Sequence, residues 1–178
     1  MLITYYIMST ARSANLLGAL TVALGDELVT ATEAGAGHRA AFPAAIVSVG
    51  ASPNQSIEDL RRALGLSHSG TVRLLDRLEA EGVVERRAGR DARSVSLVLT
   101  PAGRRTYQRI QDARREAMAS ALALLSPGEQ SQWLRLTEKV LFGMTRSVEH
   151  SDHICRLCET SACPQETCPV ECGARARI

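Results

Sequence analysis

The sequence predicts a mainly α-helical chain that carries one small β-hairpin. Three observations point there. Aromatic residues are only 3% of the 178 residues, so the core must be built from Leu, Val and Ala, which suits packed helices better than an all-β sandwich. Apolar residues recur at helical spacing along most of the chain, whereas strand-like runs are confined to residues 83–99. Capping and stop residues fall where those patterns begin and end.

Over residues 14–31, Leu16, Leu17, Leu20, Leu24 and Leu28 support a first helix, which TEAGAGH is expected to break. A second helix at about 38–49 is apolar on several sides (Phe42, Ala45, Ile46, Val49) and so is expected to be buried. After a loop at 50–54, Ser56 and Asp59 form a capping box for a helix lined by Ile57, Leu60 and Leu64. Gly65 ends it, and Ser67 caps the next helix after a turn of about three residues. That helix turns Val72, Leu75 and Leu78 inward and Ser69, Arg73, Asp76 and Arg77 outward, and Gly82 stops it. Strands follow at 83–87 and 94–99, joined by the polar tip AGRDAR. Thr100-Pro101 starts a long helix through Tyr107, Ile110 and Leu122. Ser126-Pro127-Gly128-Glu129 is a capping box for a last helix through Trp133, Leu136, Val140 and Leu141. From residue 150 the periodicity dissolves into Cys, Pro, Glu and Arg.

Helix, tight turn, helix and basic-tipped hairpin is the order of a winged helix-turn-helix, flanked here by helices suited to dimerisation. The second helix of such a unit fits the DNA major groove, with its N-terminal residues at base edges and its dipole favouring phosphate. Those residues are His68, Ser69, Thr71 and Arg73, with Arg77 further along. Arg73 is the first choice for a base contact, because Arg to guanine is the commonest specific pairing. Ser67 and Ser69 read as cap and phosphate ligands. At the wing, Arg90 or Arg93 suits a narrow minor groove, with Asp91 orienting an Arg. Against the plain alternative of a helical hairpin with a solvated ribbon, spacing, capping and charge all agree.

The segment SIEDLRRALGLSHSGTVRLLDRLEAEGVVERRAGRDARSVSLVLTPAGRR resembles the core of the MarR family of bacterial regulators. Its D-x-R (Asp91, Arg93) and L-T-x-x-G (Leu99, Thr100, Gly103) fit that family's pattern, and the resemblance extends over roughly residues 13–147. It implies a homodimer whose terminal helices interlock, a pseudo-palindromic double-stranded operator, and Arg93 as minor-groove residue oriented by Asp91. Gly70 departs from the family, where a larger residue is common, and lowers helix propensity at the helix start. The apolar faces of the first and last helices (Leu16, Leu20, Leu24; Leu136, Val140, Leu141) support a dimer independently, since so thin a domain cannot cover them; packing on each other in one chain is the alternative.

Charge adds to this reading. The net charge is only +2, but 20 of the 21 basic residues are Arg, with Lys139 the exception, and residues 61–105 hold ten Arg against five acids. Guanidinium groups suit phosphate and guanine. MLITYYIM at the N-terminus reads as an extension, or as the product of an early start codon with Met8 the native one. It is too short to span a bilayer, no other segment looks apolar enough to do so, and the expected location is the cytoplasm. The expected divisions are an extension (1–12), N-terminal support helices (13–55), the winged helix (56–100), C-terminal dimerisation helices (101–149) and a cysteine-rich tail (150–178).

All five cysteines fall in that tail, as C-x2-C-x4-C-x4-C-x3-C. In a reducing compartment such crowding favours metal or redox chemistry over disulfides. Thiolates suit zinc or an iron–sulfur cluster. Zinc sites usually pair two C-x-x-C knuckles across a longer hairpin. Short intervals and two Cys-Pro steps (Pro164, Pro169) lean instead toward wrapping around a [4Fe–4S] cluster, although the spacing differs from that of ferredoxins. Cys155, Cys158, Cys163 and Cys168 are the expected ligands and Cys172 a spare or alternative; His150 and His153 are expected to face solvent. Zinc, thiol redox sensing and a disordered tail remain open alternatives.

Two functions follow. One is a repressor tuned by a cluster or metal in the tail, sensing redox state, iron, oxygen or nitric oxide. The other is a regulator of the same fold answering to a phenolic or drug-like ligand, with a structural zinc tail. An enzyme is disfavoured: the four His are scattered, and no nucleotide-binding glycine pattern, Ser/His/Asp set or carboxylate pair stands out.

Overall fold

The computed structural model describes the backbone of residues 2–89 and 95–177, and the side chains of residues 10–89 and 95–177. Its first element, α1 (Leu2–Ala36), is a single helix of 35 residues. It starts earlier than the expected residue 14 and runs past Gly35, ending inside TEAGAGH, the segment expected to break it. Gly35 marks a helix crossing: a Cβ there would lie 2.8 Å from the carbonyl oxygen of Arg109 on α5 (Pro101–Leu122). The break comes at Gly37, where φ is +71°. By length and composition, Thr10–Ala36 is apolar enough to cross a membrane. This corrects the expectation that no segment is: Ala and Val between the leucines, with few charges, keep the average up without forming an unbroken apolar run. Core helices pass the same criterion.

α2 (Phe42–Ala51) begins after Ala40, whose φ is +61°, so it starts later than residue 38. It is buried from Phe42 to Val49, as its all-round apolar pattern demands. α3 (Ile57–Leu64) and α4 (His68–Ala80) form the helix-turn-helix. Ser56 and Asp59 close the capping box: the Asp59 N–H donates to Ser56 Oγ at 3.1 Å, and the Ser56 N–H donates to Asp59 Oδ2 at 3.0 Å. Gly65 ends α3 in the left-handed region, at φ +65°.

β1 (Val84–Ala88) and β2 (Val95–Leu99) pair antiparallel, with Val84 opposite Leu99. The expected alternation fails on β2, where Ser96, Leu97, Val98 and Leu99 are all buried and Val95 is exposed. The segment before α3 is the cause. It pairs with the other edge of β2, through Leu97 N–H to Gln55 O and Asn54 N–H to Leu97 O, both 3.0 Å. The hairpin and the helix-turn-helix are thus one hydrogen-bonded body around Phe42, Ile46, Leu60, Leu75, Leu97 and Ile110.

Thr100 caps α5, accepting from the Gly103 N–H at 3.0 Å and donating to Gly82 O at 2.6 Å. Gly103 itself is dictated by packing: a Cβ there would sit 1.9 Å from Val83 O. α1 packs along α5, while α6 (Pro127–Met144) has no buried residue and rests chiefly on α8 (Pro169–Arg175). Between α1 and α6 lies an open apolar groove of about 520 Å³, lined by Leu17, Leu20, Leu24, Trp133, Leu136 and others.

The tail is folded, contrary to a pattern that dissolves at residue 150. α7 (Val148–Cys155) packs on α3, a 3-10 turn (Thr160–Ala162) follows, and α8 packs on both α7 and α6. Val170 and Ala174 are buried, and Gly173 lets α8 approach the Phe142 carbonyl oxygen.

Candidate nucleic-acid interface and cysteine lobe

The exposed end of α4 carries the residues expected to meet DNA, and the structure divides them. Ser67 caps α4, its Oγ accepting from the Gly70 N–H at 3.2 Å, with Ser69 Oγ 3.4 Å away. His68, Ser69 and Arg73 are exposed, and Arg73 has no intramolecular partner among the described residues. Thr71 must be struck from the set. It is fully buried, and its hydroxyl donates back to Ser67 O at 3.0 Å, because position 71 turns toward the core with Leu75 and Leu78. Arg77 is committed elsewhere: its Nη2 lies 2.9 Å from His38 Nδ1, and its guanidinium stacks on Phe42. Arg90, Asp91 and Arg93 lie outside the described residues.

Among the described residues, four other cations of the basic region are paired with acids. Arg61 pairs with Glu58, Arg62 with Asp59, and Arg87 with Glu85. Arg86 of β1 bridges Glu79 and Asp76 of α4, the latter at 2.9 Å. This brace fixes the wing strand to α4 and went unread in the sequence, although D-x-x-E on the outward face of α4 was its signal. Arg73 is thereby left as the exposed cation of α4 that nothing else occupies.

The cysteine loop forms a second cluster. Cys155 ends α7, Cys168 precedes α8, and Cys158 and Cys163 lie on the connection. Cys168 is buried, Cys155 and Cys158 half-buried, and Cys163 exposed. The thiols act on one another. The Cys155 thiol donates to Cys158 sulfur and is partly shielded from water, both of which hold its pKa up. Cys158, accepting from Cys155 and facing the charges of Arg114 and Arg156, is lowered to about 6. Burial and the neighbouring Cys168 raise Cys163. Cys172 stands apart, donating to Glu166 O at 3.4 Å. Among the described residues, no group of three or more His, Cys, Asp or Glu side chains already stands around a point as a metal ion requires.

Several contacts fasten this loop to the body. Gln111 of α5 donates through Nε2 to Cys158 O at 3.2 Å, and Arg115 of α5 pairs with Glu159 at 3.0 Å. His153 is not solvent-facing, as it bonds to Ala63 O of α3. His150 stays partly exposed, its Nδ1 accepting from the Arg146 N–H at 3.1 Å. Two polar atoms on the same face of α5, Gln111 Oε1 and Arg114 Nε, are buried with no hydrogen-bond partner. The spacing of Gln111, Arg114 and Arg115 was the sequence signal for this docking face, three polar residues on one side of a helix otherwise read as core-forming.

Residues 44–94, which hold α2, the helix-turn-helix and the first wing strand, match the model of the MarR family. Over that segment the chain is similar to the MarR family. Among curated MarR-type relatives, the transcriptional repressor MprA of Escherichia coli is 30% identical over 100 residues, 54% of this chain and 57% of that protein. The chain thus spans little more than half the length of that relative. The solved YusO protein of Bacillus subtilis superposes with a TM-score of 0.61 at 23% identity, covering 75% of this chain and 94% of YusO, a likeness of fold. The MarR family protein Rv2887 of Mycobacterium tuberculosis, solved in complex with DNA, gives 0.55 at 25% identity over 71% of this chain and 95% of that one.

Proposed function

We propose that this chain is a sequence-specific transcriptional repressor that works in the cytoplasm as a homodimer on a pseudo-palindromic operator. The observation that carries the reading is the exposed Arg73, without a partner among the described residues, beside His68 and Ser69 on a helix held by its cap and the wing brace. Rv2887, of the same fold, is known bound to DNA. The dimer is supported by apolar faces that one chain leaves open: Leu16, Leu136 and Val140 are each more than half exposed. A C2 pairing through α1 and α6 would place two α4 helices on successive major-groove faces.

The reading extends to the tail, where an iron–sulfur cluster, or zinc, is held by Cys155, Cys158, Cys163 and Cys168. Soft sulfur donors, two nearby Arg and the thiols' mutual resistance to ionising together all suit a thiophilic cation. Bound there, such a group supplies a link between thiolates and, for a cluster, sensitivity to oxygen, nitric oxide or iron supply. The chain's own part is mechanical. Cys155 ends the helix that packs on α3, and Cys168 starts the helix that packs on α6. Tying them together couples the DNA-reading unit to the dimerising arm, and releasing them lets the two elements move apart.

The groove between α1 and α6 favours a second reading, in which an apolar aromatic effector binds there and the tail is a zinc clip. Protein purified without oxygen, assayed against DNA from upstream of its own gene, separates the two. A visible charge-transfer band with operator affinity that changes on oxidation supports the first. Stoichiometric zinc with a response only to phenolic ligands supports the second.

A further inference from the structure

We propose that His38 is a positioning residue for DNA binding: its neutral imidazole holds the Arg77 guanidinium in reserve, and protonation at Nδ1 releases that guanidinium to the phosphate backbone. This rests on the reading that α4 enters DNA. Ser69, Arg73 and Arg77 recur every four residues, so they lie along one stripe of α4, with Arg77 one turn beyond Arg73. Both Arg are exposed, but Arg77 is tied to the protein itself. Its Nη2 lies 2.9 Å from His38 Nδ1, and its guanidinium sits over the Phe42 ring, 5.4 Å from the centroid. The His38 ring packs on the same Phe42, with 4.0 Å between centroids. These contacts join the connection between α1 and α2 to the last turn of α4.

A guanidinium only donates, so His38 Nδ1 accepts, and the proton of the neutral ring is on Nε2, which faces Glu81 Oε2 at 3.6 Å. A second proton has one place to go, which is Nδ1. There it sets donor against donor and cation against cation, while the Glu81 carboxylate draws the imidazolium the other way. The other charged groups around the ring are already engaged. Glu33 of α1 accepts from the Ala40 N–H at 2.8 Å and pairs with Arg39 at 4.0 Å, and Arg109 of α5 donates to Gly35 O at 3.2 Å. From α2 the ring meets Phe42, which does not titrate. Histidine is the side chain whose charge changes near neutrality. Giving up one charge-assisted bond and one ring face to reach a phosphate costs about tenfold in affinity, and a protonated His38 removes that cost.

The test follows fluorescence anisotropy of a labelled duplex from upstream of the protein's own gene, titrated with full-length protein over a salt series at about pH 5.5 and about pH 8. At the higher pH, His38→Ala should bind about tenfold more tightly than wild type. Its log–log salt slope should be steeper by about 0.9 for each Arg77 set free. In acid the difference should close, because wild type has then released Arg77 itself. Comparing the two proteins at each pH cancels His68, which is exposed on the same helix and also gains charge in acid. His38→Gln keeps an acceptor that does not titrate, so it should hold Arg77 at both pH values and bind more weakly than His38→Ala throughout. In an Arg77→Gln background, His38→Ala should change nothing further. A circular-dichroism melt checks folding; should His38→Ala not fold, the acid response of wild type that His38→Gln lacks carries the same test. A wild type that binds no DNA overturns the reading of α4 and this proposal with it. A wild type that binds, while His38→Ala gains nothing at the higher pH or keeps its gain without Arg77, overturns the role of His38 alone.

Discussion

His153 Nδ1 lies 3.0 Å from the carbonyl oxygen of Ala63, 90 residues earlier in the chain. A carbonyl only accepts, so Nδ1 carries the proton, and the tail is pinned to the last turn of α3, immediately before Gly65. The cysteine lobe therefore touches the support helix of the DNA-reading unit rather than hanging from α6. Replacing His153 with Ala should lower stability by about 1 kcal/mol, the usual worth of such a bond. Hydrogen exchange should quicken in α7 more than in α4. Unchanged protection in α7 would mean that this contact holds nothing in place.

Arg73 and Thr71 make a matched pair of tests, two residues apart on one helix. Arg73→Ala should weaken operator binding by about 1–3 kcal/mol and relax sequence preference at one base pair of each half-site. Thr71→Val keeps the buried shape and loses only the bond to Ser67 O, so operator affinity should stay within about twofold. Equal losses from both would point to a folding effect instead of a contact.

Gly103→Ala probes the junction of hairpin and α5. The added methyl would stand 1.9 Å from Val83 O, a backbone atom that also accepts from the Thr100 N–H at 3.1 Å and cannot swing aside. A loss of about 3 kcal/mol or more in urea unfolding is expected, at the upper end for overpacking. A variant as stable as wild type would show that α5 can shift along the strand at little cost.

The winged helix was readable because its signals are local. Ser56 with Asp59, Gly65, Ser67, Gly82 and Thr100 each fix a boundary through bonds within a few residues or across one turn. Thr71 was misplaced because an N-terminal position on a recognition helix says nothing about which way the side chain turns. Only the heptad-like company of Leu75 and Leu78 could have turned it inward. Docking of the tail was not legible, since its contacts (His153 to Ala63, Gln111 to Cys158, Arg115 to Glu159) join residues that sequence spacing does not relate. The length of α1 was underestimated for a similar reason: Gly35 looks like a breaker until α5 crosses it.

Acid should loosen the start of the helix-turn-helix through Asp59. Bonds from the Ser56 hydroxyl and backbone, and then Arg62, hold its carboxyl below the ordinary aspartate value of 3.8. A depressed folded-state value means the stabilisation is complete above about 3.8 and fades as pH falls through the lower folded value. Asp59→Ala should therefore be less stable than wild type near neutrality, and the difference should shrink as pH falls below 3.8. Melting temperatures of both proteins across that range give the measurement. A gap that persists undiminished in acid would assign the effect to packing.

The apolar face shared by α1 and α6 decides between a dimer seam and a ligand groove. Leu136 is 63% exposed in the single chain, so Leu136→Glu removes no intrachain core contact and should leave the helical signal and the winged helix intact. If two copies meet through this face, a buried carboxylate at its centre is costly enough to shift a micromolar sample to monomers in sedimentation. Operator binding should then fall by orders of magnitude while weak, salt-sensitive binding to any DNA survives, because each α4 would reach only one half-site. If the variant instead stays dimeric and binds its operator normally, the seam lies elsewhere. The groove beside Leu136 would then be open to an aromatic effector, and the same substitution should abolish that response.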